Sequence, residues 1–476
     1  MKKRTFLVLL CFVLMLTTLL SACNNDKYDK QEQTTATVEE TDAPTDLLEK
    51  ALPNNIDFGG REFVALTESD GGLQFNTEEF DGDPVNEAMV TRNLYISERF
   101  DCVLTTVEGK GDKLEVAHLT QGSDFDLVWP NPLFVGSFMI KGMVTDLKTL
   151  DSIDLTGEWW NQTHVETWTC NNHLYALASD ATILGQAFGA IVYNVDAYKD
   201  RFSTDDLYDV VYAGDWTVEK MEILAKQASA KVEGDETGNF YGLGFWENLA
   251  YGMMYGMDVR LLNPTSDGKF ELGYTNTRLT AIAEGIASLI YNPEINILSK
   301  YGGSADATAS NFFNAFCGGN CLFMTWDVGS MYQHLRDLDF EIGYLPNPKL
   351  NEEQNGYRVM CSSGQMLIPY YVKDAEQAGT IFNALGVCSY LEIRPTYINK
   401  VLLGRLSKQA EHFEMLQFMH NSKFWDIGLS FDTTNEARDI IYNTVIKSGT
   451  PSAVIVYMKG HASAFETIVE YANKIN

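Results

Sequence analysis

Three tryptophans stand beside polar residues, each at the end of a short apolar run. The pairs are Trp129 with Asn131, Trp246 with Glu247, and Trp326 with Asp327. An indole ring offers a flat apolar face, whereas a carboxylate or an amide offers hydrogen-bonding atoms. A sugar needs both kinds of partner, because its C–H surface stacks on an aromatic ring and its hydroxyls need polar groups. These pairs therefore indicate carbohydrate-binding chemistry at strand ends.

Other polar residues that follow predicted strands are further candidates for the same site. They are Glu68, Asp70, Asp180, Ser363 and Gln365. Structural roles stay open for several candidates. An Asp before an apolar helix commonly caps that helix, which applies to Asp180 and Asp327. A tryptophan is commonly a core or interface side chain, which applies to all three indoles.

No catalytic motif accompanies these residues. The sequence has no Gly-x-Ser-x-Gly elbow, no His-Glu-x-x-His helix and no phosphate-binding loop. Cys317 and Cys321 have the spacing of half a metal site, but no second pair follows. We predict buried thiols or a local disulfide there, and no metal or cofactor. With 65 acidic residues, paired carboxylates arise by chance, so a surface-anchored hydrolase such as a glycosidase is the alternative function.

The size and charge of the chain narrow its functional class. Its 476 residues suffice for about two to three domains. The formal net charge is -30, so a phosphate backbone would be repelled, which excludes nucleic-acid binding. Aromatic residues make up 12% of the chain, a surplus suited to stacking surfaces. Because the sequence shows no internal repeat, an adhesin or a wall-assembly protein is disfavoured.

The N-terminus has the features of a bacterial lipoprotein signal. A basic start precedes an uncharged run over 6–20, which is shorter than a membrane-spanning helix and typical of a secretory signal. The run ends in Leu-Ser-Ala-Cys at 20–23, which resembles a lipobox. We therefore predict a signal peptide over 1–22, a lipidated Cys23 and a flexible polar tether over 23–50. The alternative is an ordinary secretory signal that happens to contain a cysteine.

Alternating strand and helix patterns follow the tether. Strands are predicted over 62–66, 102–107 and 125–129, with a helix over 84–100. This order gives parallel strands joined by right-handed crossovers. Further helices are predicted over 218–230 with Thr217 as N-cap, 280–291, 307–316 and 374–390, and further strands over 240–246, 321–326 and 365–370. The fold class is therefore α/β and not a β sandwich.

Several short motifs occur in a defined order from about residue 57 to the C-terminus. They lie at 125–128 with 142–147, 174–177 with 191–196, 215–217, 316–326 and 342–346. Their order resembles that of the extracellular solute-binding proteins of ABC importers, in the group that includes sugar-binding members. The resemblance implies a type II, two-lobe periplasmic-binding-protein-like fold, with hinged lobes and a ligand cleft between them.

The resemblance also implies how the chain is divided and what it does. Lobe 1 would comprise 51–182 and 344–395, and lobe 2 would comprise 190–342 and 397–476. Ligands of such a fold bind where strand ends face the cleft, which is where the candidate residues stand. The protein would be a monomer, lipid-anchored at the extracellular face of the bacterial cytoplasmic membrane. It would not be an enzyme but would capture a small solute, such as a mono- or oligosaccharide, for the transmembrane subunits of an ABC permease.

Overall fold

The structure is a computed structural model. It describes residues 44–67, 80, 82–181, 189–202, 206–234, 238–300, 310–328, 335, 338–361, 364–398 and 410–475. Four predicted functional residues lie outside these ranges, namely Cys23, Glu68, Asp70 and Ser363. Within the ranges, every helix is too short or too polar to cross a bilayer.

The described strands run from β1 to β14. They are β1 (Arg61–Thr67), β2 (Cys102–Glu108), β3 (Leu127–Trp129), β4 (Leu177–Ala178), β5 (Gly189–Asn194), β6 (Tyr241–Trp246), β7 (Leu262–Pro264), β8 (Phe270–Leu272), β9 (Ile297–Lys300), β10 (Cys321–Asp327), β11 (Ile342–Leu345), β12 (Val359–Met360), β13 (Gln365–Met366) and β14 (Lys423–Phe424).

The described α-helices run from α1 to α16. They are α1 (Pro44–Ala51), α2 (Pro84–Phe100), α3 (Gly111–Thr120), α4 (Val135–Ile140), α5 (Gln162–Trp168), α6 (Val195–Arg201), α7 (Leu207–Tyr212), α8 (Val218–Ala228), α9 (Ala250–Gly256), α10 (Asn276–Ile290), α11 (Asn311–Cys317), α12 (Ala375–Pro395), α13 (Ala410–Asn421), α14 (Glu436–Ile441), α15 (Ala453–Gly460) and α16 (Ala462–Ala472).

Most elements predicted from apolar periodicity are confirmed. Helix α2 begins after the N-cap Asp83, whose carboxylate accepts hydrogen bonds from the first helical turn. The predicted N-cap Thr217 starts α8. The strand predicted over 365–370 is shorter than expected, because only β13 forms a regular ladder there. Its pairing continues as single bridges, the first of which joins Leu367 to Val128.

Helix α1 corrects the predicted boundary of the tether. Residues 44–50, which we assigned to the tether, form part of α1. Leu48 is 4% exposed and belongs to the core, and α1 packs against α12. The sequence did not predict this helix because 23–50 is polar overall. Two leucines are nevertheless enough to pack two helical turns against the folded body.

The lobe 1 sheet collects several strand ends at one edge. Strands β2, β1 and β3 are parallel, in that order. Strand β13 joins β3 through the antiparallel bridge noted above, and β4 pairs antiparallel with β13. Since β13 is antiparallel to both neighbours, β4 runs in the same direction as β3. The carboxyl ends of β1 to β4 therefore meet at one edge, called here the lobe 1 edge.

The lobe 2 sheet has a corresponding edge. Its order is β11-β5-β10-β6-β9, with β10, β6 and β9 parallel and β5 antiparallel to β10 and β11. The ends of β6, β9, β10 and β11 and the start of β5 therefore share one edge, called here the lobe 2 edge. Few residues separate the end of β4 at Ala178 from the start of β5 at Gly189. The chain thus leaves the lobe 1 edge and enters lobe 2 at the lobe 2 edge.

The C-terminal segment contacts both lobes. Helices α14 and α15 pack against α9 and α10 of lobe 2, whereas α16 also contacts α4 of lobe 1. The 3-10 helix Ile427–Ser430 also packs on α4, and Gly136 allows this close approach, because a Cβ atom there would lie 2.5 Å from the Phe431 ring and 2.6 Å from the Ser430 carbonyl oxygen. The predicted lobe boundaries stay a prediction.

Candidate functional site

Two predicted site residues follow β3 at the lobe 1 edge. Trp129 ends the strand and is 5% exposed. Asn131 is half-buried, and its side-chain oxygen accepts a hydrogen bond from the Leu133 N–H at 3.1 Å. Asn131 thereby caps the 3-10 helix Pro132–Phe134. The cap uses only the side-chain oxygen of Asn131.

Buried polar atoms at the same edge include one that sequence reasoning missed. Gln365 starts β13 opposite Ala178 and is 3% exposed. Thr67 ends β1 and is 1% exposed. The side-chain oxygens Oε1 of Gln365 and Oγ1 of Thr67 have no hydrogen-bond partner among the described residues. Thr67 could have been found from its position as the last residue of a strand that ends at this edge.

Asp180 lies in a charged cluster at the junction of the lobes. Arg394 Nη2 and Nε approach the Asp180 carboxylate at 2.5 and 2.6 Å. Burial lowers the pKa of Lys423 to about 8, although attraction to Asp180 opposes this shift. Burial also holds the pKa of His420 well below its usual value. These four side chains line a small cavity together with Trp159 and Trp425.

The end of α12 contacts both edges. Arg394 binds Asp180 at the end of β4, as described above. Three residues later, the Tyr397 hydroxyl donates a 2.6 Å hydrogen bond to the carbonyl oxygen of Val328, which follows β10. Sequence reasoning assigned neither Arg394 nor Lys423 to the site, because their partners are distant along the chain and no local motif marks them.

An aromatic cluster forms the lobe 2 edge. Trp246 and Trp326 end the adjacent parallel strands β6 and β10, and their ring centroids are 5.6 Å apart. Phe313 and Phe312 from α11 cover Trp326 further, at 4.8 and 6.3 Å. Trp326 is 2% exposed, whereas Trp246 is half-buried. The indole N–H of Trp246 has no hydrogen-bond partner among the described residues.

Two carboxylates accompany these indoles. Glu247 is 5% exposed and Asp327 is half-buried. Asp327 pairs in register with Gly189, the first residue of β5. Asn347, which follows β11, donates through Nδ2 to the Gly189 carbonyl oxygen at 3.4 Å and holds this corner of the edge. The lobe 2 edge therefore combines an accessible indole with acceptors for hydroxyl groups.

Solved structures with the same architecture carry bound solutes. One is the galacto-N-biose-/lacto-N-biose I-binding protein of the ABC transporter from Bifidobacterium longum. It is 12% identical to this chain with a TM-score of 0.57, and the match covers 88% of this chain and 100% of that protein. Another is the ABC substrate-binding protein Lmo0181 from Listeria monocytogenes, in complex with cycloalternan. It is 12% identical with a TM-score of 0.53, and the match covers 86% of this chain and 98% of that protein. The fold is that of the two-lobe ABC-transporter solute-binding proteins.

A third similar structure carries a different class of solute. UgpB from Mycobacterium tuberculosis, in complex with glycerophosphocholine, is 15% identical with a TM-score of 0.54, covering 87% of this chain and 98% of its own. The sequence itself matches no protein-family model and no curated protein. The solute-binding-protein fold predicted from the motif order is thus confirmed at the level of structure.

The solute-binding fold explains why the candidates divide into two groups. The structure brings Trp129, Asn131, Asp180 and Gln365 to the lobe 1 edge, and Trp246, Glu247, Trp326 and Asp327 to the lobe 2 edge. Among the described residues, no group of His, Cys, Asp and Glu is arranged to hold a metal ion. Cys317 and Cys321 are free thiols, so the local disulfide left open above is not formed.

Proposed function

We propose that the protein is the solute-binding component of an ABC importer and captures a mono- or oligosaccharide between its lobes. The observation that carries the proposal is the composition of the two edges, each of which offers an indole beside carboxylate or amide groups. The fold alone leaves the solute class open, because one similar structure holds glycerophosphocholine. Sugar is favoured because indole faces and hydroxyl acceptors together fit a carbohydrate better than a phosphate-bearing solute.

Within this proposal the lobe 2 indoles have different roles. Trp246 supplies the stacking face, and Trp326 supports it from behind, since Trp326 is covered by Phe312 and Phe313. From lobe 1, Trp129 and Oε1 of Gln365, which has no hydrogen-bond partner among the described residues, face the same solute. Glu68, Asp70 and Ser363 lie outside the described residues, and we include them in the proposed site because they follow β1 or precede β13 along the chain.

Binding without turnover is part of the proposal. A glycosidase needs one carboxyl group that donates a proton and a second that acts as base or nucleophile. Asp180 is ion-paired to Arg394, and such a carboxylate accepts hydrogen bonds from hydroxyls instead of donating a proton. The similar structures are also binding proteins of transporters and not enzymes, which supports binding over hydrolysis.

The central experiment measures binding, turnover and closure on one panel of sugars. A ligand at a hundredfold its dissociation constant stabilises the folded state by about 2.7 kcal/mol, which a thermal-shift assay detects. Small-angle scattering should show compaction with the same sugar, because the ligand favours the closed arrangement of the lobes. Release of reducing ends at enzymatic rates would overturn the proposal in favour of a glycosidase.

We further propose that Cys23 is lipidated and that the protein acts as a monomer at the extracellular face of the membrane, beside its permease. Cys23→Ala should move the protein from the membrane fraction to the soluble fraction. Cys317→Ala is the matched control, because Cys317 is a free thiol in the folded body. If Cys23→Ala remains as membrane-bound as the control, the anchor lies elsewhere.

A further inference from the structure

A groove that contains none of the proposed cleft residues borders the lobe 1 edge. Its volume is about 480 Å³. The side chains that shape it are Asp112, Glu115, Phe134, Phe138, Lys141 and Thr433. This volume falls within the range of roughly 300–1,000 Å³ that is typical of small-molecule sites.

The groove is continuous with the lobe 1 edge. Helix α3 follows β2, and the 3-10 helix before α4 follows β3, so both begin at the carboxyl ends of parallel strands. The Phe134 N–H donates a 3.1 Å hydrogen bond to the carbonyl oxygen of Asn131. One 3-10 turn therefore separates the groove from Asn131, and a ligand longer than the cleft can extend from one to the other.

The floor and one wall of the groove are firmly packed. Phe138 is 5% exposed, and a Cβ atom on Gly111 would lie 2.5 Å from its ring, so the start of α3 rests on this aromatic floor. Across the groove, Thr433 follows Phe431, which packs against Gly136 in α4. The groove is therefore preformed, which lowers the entropic cost of binding.

Phe134 gives the groove its binding chemistry. Its side chain is 43% exposed, an unusual position for a phenylalanine. The carboxylates of Asp112 and Glu115 lie in the same groove, and Glu115 is ion-paired with Lys141. An exposed aromatic face beside charged acceptors and donors repeats the combination found at the two edges, and it fits one more sugar unit.

We infer that this groove is an outer subsite, which holds the distal unit of an oligosaccharide whose other end lies in the cleft. The inference rests on the proposed function and adds that chain length is recognised. A monosaccharide fills the cleft alone, whereas a longer sugar also stacks on Phe134. Affinity should therefore rise with chain length once the chain reaches the groove.

The test compares wild-type protein, Phe134→Ala and Phe134→Trp on ladders of β-1,4-glucan, α-1,4-glucan and β-1,4-xylan, from the monosaccharide upward. Isothermal titration gives the dissociation constants. Phe134→Ala should weaken binding of long members by about three- to tenfold and leave the short members unchanged. Phe134→Trp should restore the dependence on length. Tyr370→Ala is the control, because Tyr370 is 57% exposed and follows β13 at the opposite side of the lobe 1 sheet.

The possible results separate the subsite from the proposed function. If Phe134→Ala and Tyr370→Ala bind every member alike, or if Phe134→Ala weakens short and long members equally, the subsite is wrong while sugar binding in the cleft stands. If wild-type protein binds no sugar of any ladder, the subsite and the sugar-binding function are both overturned. Melting curves of the variants check that each is folded.

Discussion

Trp326 and Trp246 are neighbours in space, but alanine should affect them in different ways. Trp326 is 2% exposed and contacts three aromatic rings, with centroids 4.8 to 6.3 Å away. Truncating a buried aromatic side chain typically costs about 3–5 kcal/mol of unfolding free energy. We expect Trp326→Ala to lie in this range, because α11 and β6 cannot both move to fill the space.

Trp246→Ala should instead act on binding. Trp246 is half-buried, so less packing is lost, and we expect a cost of about 1 kcal/mol in stability. If its ring stacks on the sugar, its loss should weaken binding by about 2 kcal/mol, or about thirtyfold. Trp326→Ala should therefore mainly lower stability and Trp246→Ala mainly lower affinity, although the two rings are neighbours.

Urea unfolding and isothermal titration measure the two quantities on the same preparations. Trp326→Phe is the control for Trp326, since it keeps an aromatic ring in the cluster and should recover much of the lost stability. The reasoning fails if Trp326→Ala unfolds at the wild-type urea concentration while its affinity falls thirtyfold. Trp326 would then contact the ligand directly instead of supporting Trp246 from behind.

Three further predictions concern buried groups. Asp180→Asn should cost about 3 kcal/mol because Arg394 loses its partner, and adding Arg394→Met should recover part of that loss in urea unfolding. His164 is fully buried, its ring nitrogens have no partner among the described residues, and burial lowers its pKa to about 3. Because unfolded histidine binds a proton near pH 6.5, the unfolding free energy should fall by about 1.4 kcal/mol per pH unit from this group as the pH drops below 6.5, and His164→Phe should reduce that slope. Gly136→Ala should destabilise the protein by about 1–3 kcal/mol through its clash with Phe431, whereas Gly252→Ala should be tolerated, because no atom of the described residues lies within 4 Å of its Cβ position; equal melting temperatures would contradict the close approach.

The sequence predicts a helix or strand well where the residues of that element alone determine its structure. Helix α2 and the N-cap Thr217 were found because apolar spacing and capping are local properties. The place of β13 between β3 and β4 could not be found this way. Its pairing depends on which segment, distant along the chain, forms hydrogen bonds with the free edge of β3. That partner is determined by tertiary packing and not by the local sequence.

The candidate site shows the same division. Position at strand ends placed Trp129, Trp246 and Trp326 at two sheet edges, because parallel strands bring their ends together. The solvent exposure of these side chains could not be predicted from their positions at strand ends. Trp326 is covered by phenylalanines of a helix that lies earlier in the chain, and Asp180 is engaged by an arginine more than two hundred residues later.

The interleaved sheets also set the order in which the chain can fold. Every described strand of the lobe 2 sheet lies between Gly189 and Leu345, whereas the lobe 1 sheet needs β13 to join β3 to β4. As the chain emerges from its N-terminus, lobe 2 can form its sheet while β3 still presents an unpaired edge, and such an edge invites pairing with other chains. The sheet of the first lobe to be synthesised is therefore completed after the sheet of the second, and the interval before residue 367 appears is when the chain most needs protection from aggregation.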